Sequence, residues 1–140
     1  MFIDASVIVA ILGREPGHEE FVKRLAAFGG PFFLSPLVKF EATEALARQK
    51  AGAAKIKVSS HLLTQARQAV DSFIEDVAAQ EISISPEIGV SALEAWSTYG
   101  KAVGHPAALN FGNCFAYGCA KVLRVGLIYQ GYDFAATDLA

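Results

Sequence analysis

Short apolar runs alternate along this chain with longer segments of helical periodicity. The apolar runs predict buried strands, and apolar positions with a period near 3.6 residues predict the helices between them. The four predicted strands are Met1–Ile3, Phe32–Leu34, Ile82–Ser85 and Leu127–Tyr129. Because strands alternate with helices, the pattern favours a right-handed parallel α/β sheet.

Capping and breaking residues set the predicted helix ends. The predicted helices are Val7–Leu12 capped by Ser6, Glu19–Ala27, Leu37–Gln49 ended by Gly52, Ser59–Ala79, Pro86–Tyr99, and a last helix that begins at Pro106. No repeat, low-complexity tract or linker interrupts the pattern. It therefore predicts a single domain over residues 1–140.

Length and composition exclude several classes of protein. The chain has 140 residues and is 53% hydrophobic, enough for a proper core and too apolar for a disordered segment. Its apolar runs are too short to span a bilayer, and no signal-peptide pattern is present, so we expect a cytoplasmic protein without membrane contact. The net charge of -2 does not indicate a nucleic-acid binder, and any such binding would need a local basic patch.

The cysteines and histidines give no metal-site pattern. Cys114 and Cys119 lie five positions apart on one predicted helix, so they face different directions and are expected to be small buried hydrophobes. His18, His61 and His105 lack the spacing of metal ligands and are interpreted as surface or loop residues.

Acidic residues occur at positions where a parallel sheet opens onto a crevice. Asp4 follows the first predicted strand and Asp133 follows the fourth, so both are expected at the carboxyl edge of the sheet. On a helical wheel Glu41 groups with Glu44 and Arg48, apart from a second polar stripe on the same helix. One stripe faces solvent, and the other could face a cleft. Alternatively, Glu41 or Glu44 simply pairs with Arg48 on an exposed surface.

Each candidate also has a purely structural interpretation. Asp4 could cap the first helix, and Asp133 could be a turn residue. Asn110 and Asn113 could cap or hydrogen-bond within a loop–helix junction. The joint placement of the acids at strand ends is what favours a functional interpretation.

A cluster of Asp4, Glu41 and Asp133 suits a hard divalent cation. Mg²⁺ prefers oxygen ligands, and gathered carboxylates repel one another unless a metal neutralises them. In phosphodiester hydrolysis such a metal polarises the phosphoryl oxygen and stabilises the leaving oxygen. The residues therefore make chemical sense as a metal-binding acidic cluster.

Three stretches give a family resemblance across nearly the whole chain: MFIDASVIVAILGREP, SPLVKFEATEALAR, and HPAALNFGNCFAYGCAK followed by LIYQGYDFAATDL. In this order they resemble the PIN-domain ribonucleases, specifically the VapC-type toxins of bacterial toxin–antitoxin pairs. The resemblance implies a PIN-like three-layer α/β/α fold with a mainly parallel sheet of about four to five strands. It also implies RNA cleavage with Mg²⁺ or Mn²⁺, commonly of tRNA or rRNA, by a homodimer that a cognate VapB-type antitoxin neutralises.

The resemblance assigns roles residue by residue. Asp4 matches the first acid of the family, Glu41 the second, and Asp133 the acid after the last strand. Ser6 matches the small hydroxyl residue that supports the first acid, and Asn110 matches the asparagine of an LNFGDC-like motif.

Asn113 departs from the family, because it stands where the motif has its third acid. It still belongs to the expected catalytic and metal-binding set of Asp4, Glu41, Asn113 and Asp133, but it carries no charge. Gln130 and Tyr132 also depart from the family's KGxDF-like ending. Either the chain is a deliberately inactivated toxin or it is a naturally drifted member, and Gln130 and Tyr132 favour drift.

Two other functions remain as alternatives. A non-catalytic PIN-like module would bind RNA or an antitoxin without cutting, and Asn113 is compatible with that. A phosphoacceptor signalling domain fits poorly, because Ser85-Pro86 ends the third predicted strand and Gln130 occupies the position of its late lysine. Most basic side chains are interpreted as solvated helix faces, although a few could guide phosphates to the acids.

Overall fold

Four short strands form one parallel sheet in the computed structural model, which describes all 140 residues. The strands are β1 (Phe2–Ile3), β2 (Phe33–Leu34), β3 (Gln80–Glu81) and β4 (Leu127–Ile128), in the order β3-β2-β1-β4. Phe2 pairs with Phe33 on one side and with Leu127 on the other. The first and last strands of the chain are therefore neighbours, as a shared crevice for Asp4 and Asp133 requires.

Six helices surround this sheet and complete the predicted α/β architecture. They are α1 (Ala5–Leu12), α2 (His18–Phe28), α3 (Pro36–Ala54), α4 (Ser60–Asp76), α5 (Pro86–Tyr99) and α6 (Phe111–Leu123). Helices α1 to α4 pack on one another, while α5 and α6 form a pair that contacts β1 and β4 through α6. No helix is both long and apolar enough to cross a membrane.

The core is centred on β1. Phe2 and Ile3 are fully buried between the helices, together with Leu34 of β2 and Ile128 of β4. Both faces of these strands are apolar, as expected for a parallel sheet with helices on its two sides. The candidate acids Asp4 and Asp133 therefore lie beyond the strand ends rather than within the sheet.

Helix α3 is longer than the sequence pattern predicts. Ser35 caps it by accepting the Val38 N–H at 3.2 Å, and Pro36 occupies the first turn. The expected stop at Gly52 is wrong, because the helix continues to Ala54. Lys55 ends it in a left-handed conformation with φ 54°, and its N–H closes on the carbonyls of Ala51 and Gly52.

The third strand lies before its predicted position of Ile82–Ser85. It is Gln80–Glu81, held by bonds from Gln80 N to the Phe32 carbonyl at 2.8 Å and from Ile82 N to the Leu34 carbonyl at 2.9 Å. Both strand residues are exposed at the sheet edge, so they carry no hydrophobic signal. The Ile82–Ser85 alternation instead leads to Ser85, which caps α5.

The last helix begins later than the predicted start at Pro106. Leu109 is first held beside the end of α5, where its N–H donates to the Tyr99 carbonyl and its carbonyl accepts from Lys101 N, both at 3.0 Å. Asn110 then caps α6, which starts at Phe111. This late start fixes where the asparagines lie.

Candidate active site

Asp4 ends β1 and begins α1. Its carboxylate accepts the Ser6 N–H at 3.0 Å and the Ser6 hydroxyl, and only 8% of the residue is exposed. The N-cap of α1 is therefore Asp4, and the predicted cap at Ser6 is wrong. Ser6 lies in the first turn of the helix, where its side chain supports the acid instead.

Ser6 joins the ends of β1 and β4. Its hydroxyl donates to the Asp4 carboxylate and accepts the Gln130 N–H at 3.0 Å. Asp4 N also donates to the Ile128 carbonyl at 3.0 Å. The segment that leads to Asp133 is thus tied directly to the residue that carries the first acid.

Glu41 reaches this region from α3. Its carboxylate lies against Gly112 at the start of α6, where a Cβ would overlap both carboxylate oxygens. Burial, and then the negative charge of Asp4, raise the pKa of Glu41 from 4.5 to about 7. Glu41 therefore faces Asp4 in a site from which water is partly excluded.

The pKa of Asp4 is also shifted by burial and by neighbouring groups. Burial raises the pKa of Asp4, its hydrogen bonds to Ser6 and the Ala5 backbone lower it, and the charge of Asp133 adds a smaller upward effect. Asp133 itself is exposed on the turn after β4, next to Phe134, whose buried ring packs on Tyr129 at 5.0 Å between centroids. Asp4 thus interacts electrostatically with each of the other two acids.

A cleft of about 310 Å³ opens beside the acids. The polar stripe of α3 that contains Glu41, Glu44 and Arg48 faces it, so these three side chains lie on a wet wall opposite the start of α1. Arg48 donates to Glu44 at 2.6 Å rather than to Glu41. The residues that line the cleft are Ala5, Ser6, Val9, Glu15, Glu41, Glu44, Ala45, Arg48 and Gln130.

Asn110 and Asn113 form a reciprocal capping box at the start of α6. The Asn110 side chain accepts the Asn113 N–H at 2.9 Å, and the Asn113 side chain accepts the Asn110 N–H at 3.0 Å. The structural interpretation of the two asparagines therefore describes what their amide oxygens do. Neither amide hydrogen-bonds to Asp4 or Glu41.

The donor set is compatible with a hard cation. No group of three or more Asp, Glu, His or Cys side chains is gathered closely enough to hold a metal ion. The carboxylates of Asp4 and Glu41, however, are oxygen donors whose pKa values are raised first by burial and then by a neighbouring carboxylate. Two such carboxylates, with water completing the shell, fit Mg²⁺ or Mn²⁺.

The histidines have other roles. The ring of His18 hydrogen-bonds to the Glu15 carbonyl at 2.9 Å, and His105 accepts the Ala107 N–H at 3.1 Å. His61 is exposed on α4. All three are surface or loop residues, as predicted.

Two residues of the site were missed from the sequence. Gly112 is needed because the Glu41 carboxylate occupies the space of a side chain. A glycine in the first turn of a helix, where it lowers helix propensity, was the available signal. Glu15 also lines the cleft, but its surroundings in the break after α1 gave no indication of this.

Known proteins match this chain over almost its whole length. Residues 1–139 match the PIN domain family. The chain is 53% identical over 139 residues to a VapC ribonuclease of Rhizobium meliloti, covering 99% of this chain and 98% of that protein. It is 29% identical over 146 residues to ribonuclease VapC30 of Mycobacterium tuberculosis, covering 100% of this chain and 96% of that protein.

Solved structures share the fold at low sequence identity. VapC20 of Mycobacterium tuberculosis, a toxin that cleaves the sarcin-ricin loop, superposes with a TM-score of 0.72 at 15% identity, covering 99% of this chain and 95% of that one. A toxin–antitoxin complex from Klebsiella pneumoniae gives 0.63 at 18% identity, covering 98% and 92%. The chain therefore belongs to the PIN domain family, and its closely matching relatives are VapC ribonucleases.

Proposed function

We propose that this chain, as a single PIN domain over residues 1–140, is a metal-dependent endoribonuclease and the toxin of a VapBC-type pair. The observation that carries the proposal is the pairing of Asp4 and Glu41 at the carboxyl end of β1. Both acids have raised pKa values beside a cleft open to solvent. The identity to VapC ribonucleases supplies the reaction class.

In this proposal Asp4 and Glu41 hold Mg²⁺ or Mn²⁺, with Asp133 as a third carboxylate and Asn113 as a neutral neighbour. The metal, when bound, supplies Lewis-acid polarisation of the scissile phosphate. Ser6 orients Asp4 by donating its hydroxyl hydrogen to the carboxylate. Asn110 positions the start of α6, and with it Gly112 and the carboxylate that rests there.

Asn113 lowers the charge of the site without removing its oxygen. That oxygen accepts the Asn110 N–H and is held at the helix start. The chain keeps three carboxylates, those of Asp4, Glu41 and Asp133, where the family motif has four acids. We infer weaker metal binding than in a relative with aspartate at this position. A fully charged set is not required for an ion to bind two carboxylates and water.

The proposed substrate is RNA, with tRNA or rRNA as the expected class, in the cytoplasm. The proposed partners are a cognate VapB-type antitoxin and a second copy of the chain.

An apolar groove of about 590 Å³ between α5 and α6 supports the homodimer, since Leu93 and Phe111 in it are 67% and 65% exposed. Light scattering of the purified chain, with Leu93→Glu as the variant, tests the dimer.

Cleavage of total RNA with Mg²⁺ or Mn²⁺ tests the enzymatic proposal. We expect cleavage that Asp4→Ala abolishes and that Asn113→Asp increases. If the chain binds RNA but neither it nor the Asn113→Asp variant cuts, the non-catalytic module is the correct function. If Asp4→Ala and Asn113→Asp both leave metal binding and cleavage unchanged, the acidic site assignment is wrong.

A further inference from the structure

Arg48 is the cationic side chain of an otherwise acidic cleft. It lies on α3, two helical turns after Glu41, and the other charged residues that line the cleft are Glu15, Glu41 and Glu44. A polyanionic strand that enters this cleft meets carboxylate repulsion at every charged position but one. The position of Arg48 therefore bears directly on how a phosphate could be accommodated.

The side chain of Arg48 is held but not buried. Its Nη2 lies 2.6 Å from Glu44 Oε2, and the two side chains are 67% and 48% exposed. An exposed pair of this kind contributes little to stability, because both charges remain hydrated. Its effect is to keep the guanidinium at the mouth of the cleft while leaving it free to exchange partners.

The contact with Glu44 also draws the Arg48 guanidinium toward the end of α3 that carries Glu41. Glu44 is about one helical turn, or about 5 Å along the axis, from Glu41. The guanidinium thus reaches back along α3 toward the acidic end, as long helical side chains generally do. A single RNA strand can meet the acids and the guanidinium together.

We infer that Arg48 is a substrate-binding residue that holds an RNA phosphate next to the scissile one, exchanging Glu44 for that phosphate. This inference rests on the proposed ribonuclease function. A guanidinium binds phosphate through two parallel N–H groups, an arrangement stronger than its single contact with Glu44. Glu44 therefore acts as a resting partner that competes with RNA.

Other basic side chains do not offer the same arrangement. Lys39 is engaged by Asp71 at 2.8 Å and by Glu81 at 3.6 Å on another face of α3. Arg67 is a matched control, because it is 71% exposed and pairs with Asp71 four residues later on α4, away from the cleft. A general effect of surface charge would act through Arg67 as much as through Arg48.

Binding of a short fluorescein-labelled single-stranded RNA of mixed sequence tests the inference. Fluorescence anisotropy would be measured in an Asp4→Asn background, so that cleavage does not interfere, and over a range of salt concentrations. We expect Arg48→Gln to weaken binding about tenfold and to lower the salt slope by about 0.7, whereas Arg67→Gln changes neither. Arg48→Lys should restore the slope but only part of the affinity, because lysine lacks the planar fork.

The role of Glu44 is tested by a double-mutant comparison. Glu44→Gln should tighten RNA binding several-fold, and the gain should be larger with Arg48 in place than in the Arg48→Gln background. Equal gains in the two backgrounds would show that Glu44 only repels RNA and does not compete for Arg48. That result would remove the exchange of partners from the inference.

Binding and cleavage distinguish this inference from the proposed function. If RNA binds equally well to the Arg48→Gln and Arg67→Gln variants, with equal salt slopes, Arg48 has no role and the ribonuclease proposal is unaffected. If Arg48→Gln alone weakens binding but the native chain never cuts RNA with Mg²⁺ or Mn²⁺, the catalytic proposal fails, and the assignment of Arg48 next to a scissile phosphate is overturned while its binding of an RNA phosphate is supported. If the chain binds no RNA, the inference is overturned.

Discussion

The carboxylate of Glu41 lies against the backbone of Gly112, in the space that a side chain at that position would fill. Two distant segments of the sequence thereby meet at the acidic site. The contact can be tested by adding a Cβ at Gly112. The atoms that this Cβ would meet belong to the end of the flexible Glu41 side chain rather than to the backbone, so they can move away.

Gly112→Ala should displace the Glu41 carboxylate with little effect on folding. We expect the melting temperature to change by only a few degrees and the affinity for Mn²⁺ to fall about tenfold, measured by thermal unfolding and calorimetry. The matched variant is Gly118→Ala on the same helix, where a Cβ meets the Ile88 carbonyl at 2.8 Å and the Ala92 nitrogen at 3.1 Å. Since these atoms are backbone, Gly118→Ala should cost about 1–3 kcal/mol. Unchanged Mn²⁺ affinity in Gly112→Ala would show that the contact is incidental.

Asn113→Asp should strengthen metal binding without disturbing α6. An aspartate oxygen can accept the same Asn110 N–H, and a negative charge in the first turn suits the helix dipole. We expect an unchanged or slightly higher melting temperature and a gain of about tenfold in Mn²⁺ affinity, because ligand charge sets affinity. Asn113→Ala, which removes the capping bond, should instead cost about 1 kcal/mol.

The raised pKa of Glu41 predicts a pH dependence of stability. In the folded chain Glu41 titrates at about 7 instead of 4.5, so the folded state binds the extra proton more tightly than the unfolded state. The stabilising effect of the protonated Glu41 carboxyl is complete below pH 4.5 and is lost as the pH rises through 7. Glu41→Gln should remove this loss and gain about 1–2 kcal/mol over the native chain near pH 8, after allowance for partial exposure. Denaturant unfolding at several pH values measures the difference. Parallel pH profiles for the two proteins would contradict the burial of Glu41.

Ser6→Ala should weaken the join between β1 and the segment after β4. The substitution removes a donor to Asp4 and leaves the Gln130 N–H without its acceptor, at a cost of about 1–2 kcal/mol. Ser6→Thr keeps the hydroxyl and should retain most of the stability and metal binding. Equal losses in the alanine and threonine variants would point to packing rather than to the hydrogen bonds.

The placement of several candidate residues was predictable, because these residues follow simple periodic rules. Asp4 directly follows β1 and Asp133 lies on the turn after β4, and the helical wheel separates the stripe of Glu41 and Arg48 from the solvent face. The wet wall of the cleft follows from that separation. Periodicity does not show which N–H group donates to the amide oxygen of an asparagine. Capping by Asn110 and Asn113 was one of two interpretations of the sequence, and the structure shows it as a reciprocal capping box.

The wrong element positions have a common cause. Backbone hydrogen bonds, which the pattern of apolar side chains does not reveal, determine the position of the edge strand Gln80–Glu81. They also hold Leu109 beside the end of α5, so that α6 starts late. Gly52 likewise fails to end α3, because the helix ends where Lys55 can close on the last carbonyls. An N-x-x-N pattern at Asn110 would have indicated the correct start of α6, since both residues suit a helix cap.

The pairing of β1 with β4 has a consequence for the synthesis of this protein. Asp4 is synthesised long before the strand that orders its neighbours, which ends at Ile128, and Asp133 comes later still. A nascent chain, or a fragment cut before residue 127, has neither the Ser6–Gln130 bond nor the third carboxylate. The acidic site can therefore be assembled only after Asp133 has been made, so a chain that stops before β4 cannot carry the finished site.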